Sequence, residues 1–172
     1  MKVGQLMECD FGNYRPDDEG RFHVDGHIPP EMVKKRMVVV MNAKLGNGCL
    51  VVPVSSTRDA GKIDRGLHVE IDCSLVTRTA FYDSRQRWAK ADLVQQVSKD
   101  RVSTIKGFHG RFVQDFLPRA LVTDIQTAVL KSVNGIALIS ENRGKKAVCC
   151  RSEQAGSGDD LESVIQALPC PD

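Results

Sequence analysis

Four short apolar runs set the limits on what this chain can fold into. They are Met37-Val38-Val39-Val40-Met41, Leu50-Val51-Val52-Pro53-Val54, the alternating Leu67-His68-Val69-Glu70-Ile71-Asp72, and Leu93-Val94-Gln95-Gln96-Val97. Runs of this length rich in β-branched residues read as strands, not helices. Each is edged by a group able to do chemistry: Arg36 before the first, Ser55 and Ser56 after the second, His68 within the third, Lys90 and Asp92 before the fourth. Strand ends gathered on one rim of a small β-structure would bring an arginine, hydroxyls, a lysine and a carboxylate together. Such a set suits a phosphodiester.

The chain has 172 residues, enough for one domain with its own core and short of two. Hydrophobic residues make up 41%, and no apolar run approaches the roughly 20 residues that span a bilayer. The start, Met1-Lys2-Val3-Gly4-Gln5 with Glu8 and Asp10 behind it, lacks the apolar stretch of a signal peptide. A cytoplasmic protein without a membrane partner is the expectation. The net charge of +2 balances 24 basic against 22 acidic residues, so clustering matters more than the sum. Because Asp159, Asp160, Glu162 and Asp172 gather near the end, the preceding body is more basic than the total. The six cysteines (Cys9, Cys49, Cys73, Cys149, Cys150, Cys170) form no CxxC pair. Cys49 and Cys73 read as small buried apolar residues, and neither a zinc site nor any cofactor is expected.

Along the chain, residues 3–9 alternate loosely as a first strand. Residues 12–31 carry Gly12, Pro16, Gly20, Gly26, Pro29 and Pro30 and read as a long loop, with a small hairpin around Phe22–Val24. The nearly unbroken apolar run at 37–41 implies a central strand buried on both faces. Gly46-Asn47-Gly48 implies a hairpin into Leu50–Val54, and one further strand is expected from Trp88 to Val97. From Arg111 to Val133, Leu117, Leu121, Ile125, Val129 and Val133 recur every four residues, the stripe of a helix lying on a sheet. Pro118 suits its first turn and Asn134-Gly135 its stop. The chain thus divides into a folded domain over 1–139 and a linker with tail over 140–172. In that tail Leu161, Val164, Ile165 and Leu168 share one face of a short helix.

The ordered series Lys35-Arg36-Met37-Val38-Val39-Val40, Val52-Pro53-Val54-Ser55-Ser56, His68-Val69-Glu70-Ile71 and Lys90-Ala91-Asp92-Leu93-Val94 resembles the MazF/PemK toxin family. The order and spacing hold over residues 3–135. The chain departs from the family's pattern at Met37, Leu93 and Gln95-Gln96, where proline, glutamine and Arg-Thr are usual. The resemblance implies an α+β fold, a small SH3-like β-barrel with flanking helices, usually a homodimer. It implies a toxin of a toxin–antitoxin pair, a metal-independent endoribonuclease that cuts single-stranded RNA to 2′,3′-cyclic phosphate and 5′-hydroxyl ends. A cognate antitoxin would be its protein partner. The alternative is a barrel that binds protein or nucleic acid without cutting, such as a gyrase poison or a degenerate family member, because fold does not settle activity.

Cleavage through the RNA's own 2′-hydroxyl needs a base, an acid for the departing 5′-oxygen, and donors around the phosphorane. Arg36 has the permanent charge and forked donors that match phosphate, although on residues alone it reads equally as strand-edge charge; the resemblance makes it catalytic. Ser55 is ordinary turn chemistry by itself and a phosphate donor by resemblance. Lys90 and Asp92, two apart on an expected strand, would share a face and act as acid and base; a surface ion pair is the plainer alternative. Ser56, His27, Arg58 and Arg87 are the expected RNA contacts. His68 and Trp88 are expected to support the fold.

Overall fold

A computed structural model describes residues 1–21, 26–29 and 31–137. Met1–Gly135 forms one compact unit. The tail reading for 140–172 and the small hairpin around Phe22–Val24 lie outside the described residues.

Seven strands form one antiparallel sheet: β1 (Leu6–Asp10), β2 (Lys35–Leu45), β3 (Gly48–Ser55), β4 (His68–Ile71), β5 (Arg87–Lys90), β6 (Gln95–Ser98) and β7 (Val102–Ser103). A short helix, α1 (Ala60–Asp64), lies between β3 and β4, and α2 (Arg119–Ser132) follows the last strand. The order across the sheet is β4-β5-β3-β2-β1-β7, with β6 also pairing with β3. The antiparallel sheet with few helices agrees with expectation. The described pairings run as an open path from β4 to β7, with no ladder joining those two ends, so they do not make a closed barrel.

The strand alternation sorts the core into two layers. Met37, Val39 and Met41 share one face with Leu6, Val52, Val54, Ile71 and Ala89, and pack with Ile105, Leu117, Val122 and Ile125. Val38 and Val40 turn to the other face with Met7, Cys9, Cys49 and Val51, covered by Phe11 and Met32. The central strand is therefore buried on both sides, as its unbroken apolar run requires. Gly46, at φ 59°, makes the tight turn into β3. Helix α2 begins after Pro118 and ends at Ser132, and Asn134, at φ 56°, turns the chain off the helical path just beyond it. Its buried residues are Val122, Ile125 and Ala128, so the buried face is rotated from the stripe read from sequence: Ile125 is common to both, Leu121 and Val129 are half-buried, and Val133 beyond the helix end is exposed.

Two expectations need correction. The strand expected from Trp88 to Val97 is two strands, β5 and β6, separated by a 3-10 turn over Ala91–Leu93. Ala91 is fully buried and its N–H donates to Leu67 O, so the chain leaves the β5 line there and rejoins β3 further along. Cys73, expected to be buried, is exposed in the 3-10 turn after β4.

Candidate phosphate-handling face

The ladder registers place the candidate side chains. Val38 faces Pro53 across the β2–β3 ladder, and continuing that register by two residues sets Arg36 beside Ser55. Ser55 faces Trp88, and Trp88 faces Glu70 on β4. Directly opposed residues in a ladder share a face. Arg36, Ser55, Trp88 and Glu70 thus form one row across four strands, on the face of Val38 and Val40. Lys90 lies one step further along β5 on the same face, opposite His68 and diagonal to Ser55. Such diagonal neighbours stand roughly 7–8 Å apart, within the reach of a lysine.

Arg36 is exposed, and its Nε donates to Val33 O at 3.2 Å. Ser55 Oγ accepts from Thr57 N at 3.1 Å and retains its own proton for donation. Ser56 forms the bend after β3, and the exposed Arg58 follows two residues later. Asp59 caps α1 by accepting from Lys62 N at 3.1 Å, so the segment carrying Arg58 is fixed at both ends.

Asp92 does not stand two along a strand from Lys90, because Lys90 ends β5 and Asp92 sits in the 3-10 turn. Its Oδ2 is paired with the Lys62 ammonium and its Oδ1 lies 2.9 Å from His68 Nε2. Burial pushes the Asp92 carboxyl up, but Lys62 and His68 together outweigh this and hold it below the usual carboxylate range. The His68 side chain is 1% exposed, and its Nδ1 has no partner among the described residues. Burial lowers its pKa, with the Asp92 charge opposing. His68 is therefore a neutral, buried residue of the fold. Asp92, engaged at both oxygens, is a poor proton acceptor.

Arg87 was expected to contact RNA, and the structure puts it elsewhere. Its side chain is 7% exposed, its Nη2 donates to Asp83 O at 3.1 Å and to Asp83 Oδ1 at 3.2 Å, and its guanidinium lies 5.5 Å from the Tyr82 ring centre. Tyr82 in turn donates to Glu8 Oε1 at 2.8 Å. Alternation along β5 turns Arg87 to the α2 side of the sheet with Ala89, away from the Arg36 row. Trp88 is buried, as expected.

His27 lies in the long loop, bridged to Tyr14, with Nδ1 3.4 Å from Glu31 Oε2. It lines a cleft of about 400 Å³ and not the Arg36 row. Sequence reasoning missed Lys62 and Glu70. Lys62 gave no signal, because its partner is 30 residues away. Glu70 could have been found from the alternation of 67–72, which sets it on the opposite face from the half-buried Val69 and the buried Ile71. Among the described residues no group of three or more His, Cys, Asp or Glu is placed to hold a metal ion, and no helix is long and apolar enough to cross a membrane.

The chain is 51% identical over 143 residues to the uncharacterized protein YifN of Escherichia coli (strain K12), covering 81% of this chain and 95% of that one. An uncharacterized protein of Haemophilus influenzae (strain ATCC 51907 / DSM 11121 / KW20 / Rd) is 46% identical over 140 residues, 81% of this chain and 94% of its own. Among solved structures, the Mycobacterium tuberculosis toxin MazF-mt6 is similar with a TM-score of 0.43 at 13% identity, over 60% of this chain and 91% of that chain. The family model for the PemK-like, MazF-like toxin of type II toxin–antitoxin systems matches residues 2–133, and the chain belongs to that family.

Proposed function

We propose that this protein is a metal-independent endoribonuclease toxin acting on single-stranded RNA, with Arg36, Ser55 and Lys90 as the groups that handle the scissile phosphate. The observation that carries the reading is the register that sets the exposed Arg36 beside Ser55 at the strand ends, with Lys90 diagonal to Ser55. In this scheme the RNA 2′-hydroxyl attacks phosphorus, the P–O5′ bond breaks, and a 2′,3′-cyclic phosphate and a 5′-hydroxyl result. Arg36 and the Ser55 hydroxyl neutralise the charge growing on the non-bridging oxygens. Lys90 donates a proton to the departing 5′-oxygen. Asp92 is assigned to holding the β3–β4 connection through Lys62, and the 2′-hydroxyl proton passes to solvent. Ser56 and Arg58, next along the chain from Ser55, contact the flanking phosphates. A cognate antitoxin would silence the protein by covering this face, and the active form would be a cytoplasmic homodimer.

The test is incubation of the purified full chain with mixed RNA in EDTA, followed by mapping of 5′-hydroxyl ends. Defined cuts that disappear in Arg36→Ala and Ser55→Ala support the reading. RNA or protein binding without any cut would replace it with a binding module.

A further inference from the structure

Single exposed apolar side chains are ordinary, but a row of them is not. Three of this chain's six phenylalanines stand exposed close together in sequence: Phe108 at 51%, Phe112 at 65% and Phe116 at 45%. The backbone after β7 explains their placement. It turns in a tight hairpin, closed by Gly107 N donating to Arg111 O at 2.7 Å and allowed by Gly110 at φ 73°. Residues 112–117 then run extended: Val113 N donates to Ile105 O and Leu117 N to Gly4 O, each at 2.9 Å. Alternation along that run sends Val113 and Leu117 to the core and leaves Phe112, Gln114 and Phe116 outward. Phe116 also bridges Gln5, two residues from the exposed Val3. An apolar ridge thus runs from the hairpin tip at Phe108 toward Val3.

The rim of the ridge is basic. Lys106 and Arg111 flank the hairpin tip, Arg119 follows Phe116 at the start of α2, and Lys2 precedes Val3; all four are exposed. From residue 104 to residue 123 the only acid is Asp115. Both of its oxygens are engaged, accepting from Thr77 N and Thr77 Oγ1 at 2.7 Å each. Outward phenylalanines among cations complement an amphiphilic surface of negative charge: rings enter its apolar layer and cations meet its headgroups. Spacing favours such a surface over an RNA strand. Phe112 and Phe116 lie about 13 Å apart on one side of a straight segment, so both can enter one plane. Stacked bases follow one another at only about 3.4 Å.

We propose that this ridge is a docking surface for an anionic lipid bilayer, with Phe108, Phe112 and Phe116 entering the interface and Lys106 and Arg111 on the headgroups. The want of a spanning run, which set the expectation of no membrane partner, does not bear on a surface dock. The test is co-sedimentation of the purified full chain with vesicles of phosphatidylglycerol and phosphatidylethanolamine, against vesicles of phosphatidylcholine alone. Binding should require phosphatidylglycerol and weaken as salt rises. The double variant Phe108→Ser/Phe112→Ser should bind about tenfold more weakly or worse, and Lys106→Gln/Arg111→Gln about tenfold more weakly. Neither should move the urea midpoint, since all four side chains are exposed. In Phe108→Trp, brominated phospholipid should quench the new emission; the chain's single natural tryptophan, Trp88, is buried. No binding to phosphatidylglycerol vesicles, or binding that Phe108→Ser/Phe112→Ser retains, overturns the dock. So does another occupant of the ridge: RNA affinity, or a dimer mass by light scattering, that falls in that variant while vesicles stay unbound. The dock is independent of RNA cleavage, so a chain that cuts no RNA yet binds the vesicles through the ridge overturns the endoribonuclease reading alone.

Discussion

Replacing Asp92 by alanine should damage the fold far more than replacing its lysine partner, and the structure sets the size of the difference. In Asp92→Ala the His68 Nε2–H, on a side chain 1% exposed, loses its acceptor, and a buried orphaned donor costs about 1–3 kcal/mol. The Lys62 ion pair adds under ~1 kcal/mol, because the lysine side chain is 38% exposed and solvent screens the attraction. The loss totals about 2–3 kcal/mol. Lys62→Met removes only the smaller part and should cost under ~1 kcal/mol. Asp92→Asn should fall between, since its amide oxygen still accepts from His68. Urea unfolding reads this directly: with a slope of about 1–3 kcal/mol/M, Asp92→Ala should lower the midpoint by roughly 1–2 M. If Asp92→Ala and Lys62→Met proved equally mild, the buried histidine would not depend on this carboxylate and the argument would fail. Loss of cleavage in Asp92→Ala therefore means little unless stability is measured alongside.

Acid should destabilise the protein in two stages. His68 has a folded pKa below its ordinary 6.5, so the unfolded chain binds the extra proton and stability declines as pH falls below 6.5. Asp92 adds a second decline below its ordinary 3.8. Urea midpoints at pH 7.5 and 5.5 should differ in the wild type and converge in His68→Gln. Ile125→Ala, at a fully buried α2 position, should cost about 2–5 kcal/mol by the same assay, against under 0.5 for the exposed Thr123→Ala. Iodoacetamide at pH 8 followed by peptide mapping should label Cys73 and spare Cys9 and Cys49. Cys73 is exposed, whereas burial pushes the Cys9 thiol up to about 12 and raises that of Cys49 as well.

The strands and helix α2 were legible because each carries a one-dimensional signature: Val38–Val40 for a doubly buried strand, and Leu121, Ile125 and Val129 for a helix stripe. The Arg36–Ser55 pairing was legible only as two strand ends, since register is a relation between strands that the alternation of neither alone supplies. Lys90 and Asp92 failed as an i, i+2 pair because the 3-10 turn at Ala91–Leu93 is driven by tertiary contact, the Ala91 N–H to Leu67 O bond, with no Gly or Pro to announce it. Arg87 misled for a similar reason. Its charge reads as surface, but Tyr82 and Asp83, five and four residues back, give it a buried seat. An arginine next to an aromatic and an aspartate in a turn is a signal worth weighing.

The turn at Ala91–Leu93 has a further consequence for how this protein can change. It is the seam at which one edge of β3 passes from β5 to β6. Side chains alternate with a period of two, so a single-residue insertion or deletion in the seam would exchange Gln95 for a neighbour at the wall of the His27 cleft. Ser55 and Trp88 lie upstream of the seam and would keep their partners. Loop length here is thus a dial that re-addresses the cleft while leaving the Arg36–Ser55 row untouched.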